Sequence, residues 1–261
     1  MRVIGVQLDI AWHDKAANCA AAAELIAGAR PPTGSLIVLP EMFATGFSMD
    51  VPVICEDASG PAHAFLAETA REYRSFVLGG VAARAEAGRG ANEAVVFDPD
   101  GAELARYRKM HPFSYARETE HFDAGERVVT FGCGDFTAAA FICYDLRFPE
   151  AFRAAVGKGV DLLAVIANWP AAREQHWLAL LTARAVENQA YVVGVNRVGS
   201  DPNNEYNGRS VVISPTGEVV ADAGCEQAVL QADLDPANVR EFRESFPALK
   251  DIRPSLMPPR E

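Results

Sequence analysis

The sequence predicts an α/β protein folded as a four-layer αββα sandwich. Apolar runs of strand length alternate with longer helix-compatible stretches, and strands with helices before and after them imply layers. Two strand-plus-turn units echo each other, Val95-Val96-Phe97-Asp98-Pro99-Asp100-Gly101 and Val211-Val212-Ile213-Ser214-Pro215-Thr216-Gly217. The order of elements ahead of each unit also repeats, so that Leu39-Pro40-Glu41 stands where Ala167-Asn168-Trp169 stands later. Two similar halves of this kind stack their sheets face to face and carry helices outside.

Taken in order, residues 3–8 form a first strand and the alanine-rich residues 15–29 a helix. Residues 36–39 form a second strand, which ends at Pro40 because proline donates nothing to a ladder. A helix over 61–73 follows, then strands at 76–80, 94–97 and 104–107, with the Gly/Arg/Ala stretch 85–91 as an exposed hairpin loop. Further strands are expected at 137–142, 162–166, 191–195, 210–213, 218–221 and 229–232, and helices at 148–156, 174–189 and 236–245. Residues 246–261 hold four prolines, too many for a helix, and read as an extended arm. No linker interrupts the pattern, so residues 1–261 read as one domain.

Composition excludes several classes. The 261 residues are 49% hydrophobic, ample for a core, yet no apolar run approaches the roughly 18 residues of a membrane span. Met1-Arg2-Val3-Ile4-Gly5-Val6-Gln7-Leu8 reads as a strand and lacks the apolar region of a leader, so a cytoplasmic location is expected. Five cysteines, odd in number and without C-x-x-C spacing, suggest neither a disulfide framework nor zinc. The five histidines show no metal-ligand spacing, and no cofactor is expected. A net charge of −11 with no basic stripe repels phosphate backbones, which argues against nucleic acid.

Three strand ends carry chemistry. Phe141-Ile142-Cys143-Tyr144-Asp145-Leu146-Arg147-Phe148-Pro149-Glu150 ends an apolar run on a thiol, next to free N–H groups and a helix start that favour its thiolate. A lone cysteine at a strand end is also often just a small buried hydrophobe. In Leu36-Ile37-Val38-Leu39-Pro40-Glu41-Met42-Phe43, however, Glu41 projects beyond the sheet, and Tyr107-Arg108-Lys109-Met110-His111-Pro112-Phe113 puts Lys109 in the same position. Open α/β sheets assemble their sites beyond the carboxyl ends of strands, where these residues can converge. Amide hydrolysis needs such a trio: a thiol nucleophile, a carboxylate proton shuttle and a cation beside the developing oxyanion.

These segments resemble those of the nitrilase, or carbon-nitrogen hydrolase, superfamily, and most of all its bacterial omega-amidases. The resemblance runs through Leu39-Pro40-Glu41-Met42-Phe43-Ala44-Thr45-Gly46-Phe47-Ser48, Cys143-Tyr144-Asp145-Leu146-Arg147-Phe148-Pro149, Ala167-Asn168-Trp169-Pro170, the segment 176–189 and Val195-Asn196-Arg197-Val198-Gly199, which is nearly the whole chain. It implies the same sandwich and a homodimer or larger homo-oligomer crossed by C-terminal arms. Glu41, Lys109 and Cys143 would form the triad, with the Tyr144 backbone N–H beside the oxyanion. Glu118 would match the second glutamate that positions the lysine, Glu120 being the competing register. No metal is implied.

Arg147, one helical turn beyond Cys143, is a candidate clamp for a substrate carboxylate, with pairing to Asp145 or Glu150 as its alternative. Arg173 is the next candidate. Trp169, Phe43, Phe47 and Phe113 are candidate pocket walls, although aromatics at strand ends are commonly core. Cys19, Cys55, Cys133 and Cys225 carry no motif. The expected activity is hydrolysis of the terminal amide of short dicarboxylic acid monoamides, of the 2-oxoglutaramate or succinamate type, with release of ammonia. Alternatives are another acyl group on the same triad (an N-carbamoyl amine, deaminated glutathione or a nitrile), a cysteine–histidine dyad with His111 or His121, or a non-catalytic binding protein.

Overall fold

The structure, a computed structural model, describes residues 1–253 and Ser255. Its first half runs β1 (Arg2–Gln7), α1 (Lys15–Ala29), β2 (Leu36–Val38), α2 (Val51–Ile54), α3 (Pro61–Tyr73), β3 (Phe76–Arg84), β4 (Gly90–Phe97), β5 (Glu103–Arg108), α4 (Glu118–His121) and β6 (Phe122–Asp123). The second runs β7 (Thr130–Cys133), β8 (Phe136–Ile142), α5 (Pro149–Val156), β9 (Leu162–Ala167), α6 (Glu174–Asn188), β10 (Tyr191–Asn196), β11 (Val198–Ser200), β12 (Glu205–Asn207), β13 (Val211–Ile213) and β14 (Val219–Asp222). Strand β15 (Ala228–Asp233) and helix α7 (Pro236–Ser245) follow.

One sheet has the order β15-β1-β2-β3-β4-β5, with β6 beside β4, and the other β14-β13-β10-β9-β8-β7. Each holds a parallel centre, β1-β2-β3 or β8-β9-β10, continued by an antiparallel hairpin, β4-β5 or β13-β14. The echo in the sequence is thus a repeated topology. Strand β9 is the counterpart of β2, which places Asn168 opposite Glu41 in the scheme.

Alternation along the strands builds the layers. Val3, Leu36 and Val38 pack inward with Ala138, Ala140, Leu163 and Val165 of the other sheet. Their neighbours Ile4, Val6 and Ile37 face outward against Ala22 and Ile26 of α1 and Leu66 and Ala70 of α3. Helices α5 and α6 cover the other sheet with Phe152, Trp177 and Leu181. Asp14 caps α1 by accepting from the Ala17 N–H, and Asp235 caps α7 likewise.

Local differences have physical causes. Proline after Phe148 disfavours a helical conformation there, so residues 143–147 form a separate 3-10 segment and α5 starts at Pro149. Strand β7 alternates buried Phe131 and Cys133 with exposed Thr130 and Gly132, a signal too short to read. The expected C-terminal arm contains a 3-10 turn at Ala248–Asp251, and residues 254 and 256–261 lie outside the described residues. Among the described residues no helix is long and apolar enough to cross a membrane.

Candidate active site

The strand ends meet around one ammonium group. Lys109, at the end of β5, is 1% exposed, and its Nζ donates to Glu41 Oε1 at 3.0 Å and to Glu118 Oε2 at 2.8 Å. Glu41 and Glu118 are both fully buried. Burial works against the charge on Lys109, but the Glu118 and Glu41 carboxylates outweigh it and raise its proton affinity, so the ammonium stays charged. Two of its three N–H bonds are committed, which leaves the third for a substrate.

Glu41 is fixed on all sides. Its Oε1 also accepts from Asn92 Nδ2 at 2.7 Å, and its Oε2 accepts from the Asn168 main-chain N–H at 2.8 Å. Its backbone presses against Gly80 of β3, where a Cβ would lie 2.5 Å from Glu41 Cα and 2.7 Å from Met42 N. Only glycine lets β3 approach this turn so closely.

Cys143 is half-buried, with φ 46°, in the left-handed region that L-residues seldom adopt. Asp145 braces this turn. Its fully buried carboxylate accepts from the Ile142 N–H at 3.0 Å, Tyr107 Oη at 2.7 Å, the His111 N–H at 3.0 Å and His111 Nδ1 at 2.8 Å. The His111 ring stacks on Phe148 with centroids 3.8 Å apart. Asp145 is therefore committed to the turn and does not pair with Arg147. The Tyr144 N–H belongs to the first turn of the 3-10 segment, whose N–H groups have no intrahelical acceptor.

The features expected to favour the thiolate are outweighed at Cys143. Burial, then the charge of Glu41, push the Cys143 thiol well above its ordinary value, and Lys109 only partly opposes them. The segment after Cys143 is too short to supply a strong helix dipole. The Sγ instead approaches the Asn168 carbonyl at 3.8 Å.

A cavity of about 590 Å³ opens over this group, within the size range of small-molecule sites. Glu41, Lys109, Cys143 and Tyr144 line it together with Arg147, Trp169, Phe47, Phe113 and Arg173. The Arg147 guanidinium stands 4.9 Å from the Trp169 ring centroid and near His176 Nδ1, and Arg173 stands 5.8 Å from the Phe113 centroid. Neither forms an ion pair with a carboxylate among the described residues. Tyr206, on the β11-β12 hairpin, completes the rim.

Two expectations fail here. Phe43 is fully buried against Phe65 on the outer face of its sheet and does not reach the cavity, because Met42 at φ 43° turns the chain back. Neither His111 nor His121 lines the cavity, and the His111 ring is bonded to Asp145, so neither is placed to form the dyad with Cys143. Glu120 pairs at the surface with Arg117, whereas its neighbour Glu118 faces Lys109. Asn92, Asn168 and Asp145 carry the geometry without having been singled out. Their one sequence signal is a polar residue within or just beyond an apolar run.

Among the described residues no cluster of His, Cys, Asp and Glu is placed to hold a metal ion. The five cysteines are unpaired.

Comparison with known proteins finds relatives along nearly the whole chain. The family model described as carbon-nitrogen hydrolase matches residues 2–244. Omega-amidase YafV of Escherichia coli (strain K12) is 39% identical over 254 residues, 96% of each chain. A 2-oxoglutaramate amidase of Bacillus subtilis (strain 168) is 33% identical over 252 residues, 96% of this chain and 97% of the relative. A CN-hydrolase superfamily protein from Xanthomonas campestris, solved with an arsenic adduct in its active site, superposes with a TM-score of 0.91 at 34% identity over 97% of both chains.

Proposed function

The chain belongs to the carbon-nitrogen hydrolase family and is a hydrolase acting on amides; from that premise we propose that it hydrolyses the terminal amide of small dicarboxylic acid monoamides through a thioester on Cys143. The substrates are of the 2-oxoglutaramate or succinamate type. One observation carries this reading: a single cavity has a lysine shared by two carboxylates beside a thiol at its base, and two arginines without carboxylate partners on its wall.

Because the thiol is held protonated, the reaction begins with proton transfer. Glu41 takes the thiol proton as Cys143 Sγ attacks the amide carbon. The carbonyl oxygen gains the negative charge, and the free N–H of Lys109 and the Tyr144 N–H stabilise it. The intermediate collapses, the C–N bond breaks, and Glu41 returns its proton to the leaving nitrogen, which departs as ammonia. A water then gives its proton to Glu41 and attacks the thioester. Collapse releases the acid, and the proton returns to Cys143.

At the far end of the substrate a carboxylate meets Arg147 or Arg173, whose charges have no internal counter-ion. The reading also takes in a cytoplasmic enzyme, consistent with five unpaired cysteines, and an assembly of identical chains, which light scattering tests.

Ammonia release from a panel of amides of equal length, with and without a distal carboxylate, tests the substrate. Faster turnover of the monoamides of dicarboxylic acids is expected, with a transient acyl-enzyme mass on Cys143. Preference for uncharged amides or for N-carbamoyl amines would assign a different acyl group.

A further inference from the structure

Among the described residues, Asn92 alone hydrogen-bonds to all three charged residues of the buried cluster. It lies in β4, 1% exposed. Its Nδ2 donates to Glu41 Oε1 at 2.7 Å and to Glu118 Oε1 at 2.8 Å, and its main-chain carbonyl accepts from the Lys109 N–H at 2.9 Å. Together these contacts close a ring, Glu41 to Lys109 to Glu118 to Asn92 and back to Glu41. Its Oδ1 has no hydrogen-bond partner among the described residues, although an orphaned buried oxygen is costly. The position thus keeps the two N–H donors of the amide at the expense of its acceptor.

We propose that Asn92 is a positioning residue for amide hydrolysis, which holds the Glu41 and Glu118 carboxylates apart so that Lys109 keeps its third N–H for the oxyanion. This rests on the catalytic reading given above. Without the bridge, the ammonium is the only donor common to two carboxylates that repel each other in a water-poor site, and both compete for its remaining hydrogen. Glu41 also loses a donor to its ionised form, and a carboxylate that loses such a bond takes up a proton more readily. Two effects follow together, a weaker oxyanion site and a base that works only at higher pH. Aspartate is nearly isosteric but supplies a third carboxylate in place of the donors. Serine retains one donor.

The test compares full-length wild type with N92A, N92S and N92D, using succinamate hydrolysis and iodoacetamide alkylation of Cys143, both across pH. For N92A, kcat per folded protein should fall about ten- to hundred-fold, the worth of a hydrogen bond to a charged group, with KM within about twofold. The acidic limbs of both profiles should move to higher pH. N92S should lie between N92A and wild type, and N92D should be the weakest. Circular dichroism and thermal melts give the folded fraction of each variant, and N92S decides the matter should N92A fold poorly. Unmoved limbs, or wild-type kcat per active site, would make Asn92 an ordinary part of the sheet and overturn the proposal. If wild type releases no ammonia from succinamate, the substrate reading fails, while the alkylation profiles still decide the role of Asn92.

Discussion

Asn168 holds Glu41 by both ends: its main-chain N–H donates to Glu41 Oε2 at 2.8 Å, and its Nδ2 donates to the Glu41 main-chain carbonyl at 2.6 Å. The two residues sit just beyond β2 and β9, counterpart strands of the two halves. Equivalent positions of the repeated topology thus hold the proposed proton shuttle and the residue that clamps it. Asn196, at the end of β10, extends the clamp by accepting from the Trp169 N–H at 2.7 Å. These bonds join the two sheets at the site.

Cys143→Ala is expected to abolish amide hydrolysis while the protein stays folded, since it deletes one sulfur from a half-buried turn that Asp145 braces. Cys143→Ser should be nearly as inactive, a hydroxyl being a far weaker acid than a thiol. Ammonia release and a thermal melt measure both variants, and turnover above a few per cent of wild type would remove Cys143 from the mechanism.

Lys109→Ala should lower kcat by about 10²–10³, the cost of losing one oxyanion donor. Glu41→Gln should lower it too, through loss of the proton shuttle in both half-reactions. Rapid-quench mass spectrometry separates them: both should slow formation of the thioester, and Glu41→Gln should also slow its hydrolysis. A wild-type rate in either variant would show that the residue has no catalytic part.

Gly80→Ala tests the close approach of β3 to the proposed catalytic carboxylate. The new Cβ meets the backbone of Glu41, Met42 and Pro40 at 2.5–2.8 Å, where no side chain can swing aside. Overpacking of this kind costs about 1–3 kcal/mol, and here the displaced atoms are those that aim Glu41. Activity should therefore fall by more than the fraction of unfolded protein accounts for. A variant that is less stable but fully active when folded would show that Glu41 tolerates the shift.

Much of this architecture was legible because burial and period coincide. The helices at Lys15–Ala29, Pro61–Tyr73 and Pro236–Ser245 follow from uninterrupted helix formers bounded by turn residues. Glu41, Lys109 and Cys143 stood out because each puts a reactive group where an apolar run stops. Asn92, Asn168 and Asp145 did not, since an amide or carboxylate in a chain of 261 residues shows its partners only once the sheets are paired. Phe43 was misread for a related reason: whether a strand-end aromatic faces the pocket or the core depends on a single backbone angle, here at Met42.

Alkaline stability offers a separate check on the core. Burial pushes the Cys55 thiol up to about 11 and that of Cys133 up to about 12, against 9.0 for the ordinary thiol. A raised value means that the folded state favours the protonated form. The associated stability is intact below pH 9 and is lost as pH rises toward 11–12, by up to about 1.4 kcal/mol per pH unit for each group. Urea unfolding at successive pH values should show this decline, and Cys133→Ala should be less stable at pH 8 yet lose stability more slowly above pH 9. Equal slopes for variant and wild type would mean that Cys133 does not contribute to the alkaline transition.

Specificity should depend on the two arginines of the cavity wall. Arg147 stacks over Trp169 and Arg173 over Phe113, so each guanidinium is held by an aromatic face rather than by a carboxylate and remains available to an anion. A hydrogen bond to a charged group is worth about 1.5–3 kcal/mol, or roughly ten- to hundred-fold in kcat/KM. Arg147→Met should weaken hydrolysis of succinamate far more than that of an uncharged amide of equal length, and should leave Cys143 alkylation intact. Equal losses on both substrates would make Arg147 a packing partner of Trp169 and His176 and would transfer the carboxylate to Arg173. Arg173→Met then carries the same test, and selective loss there with none at Arg147 would place the substrate's far end against Phe113.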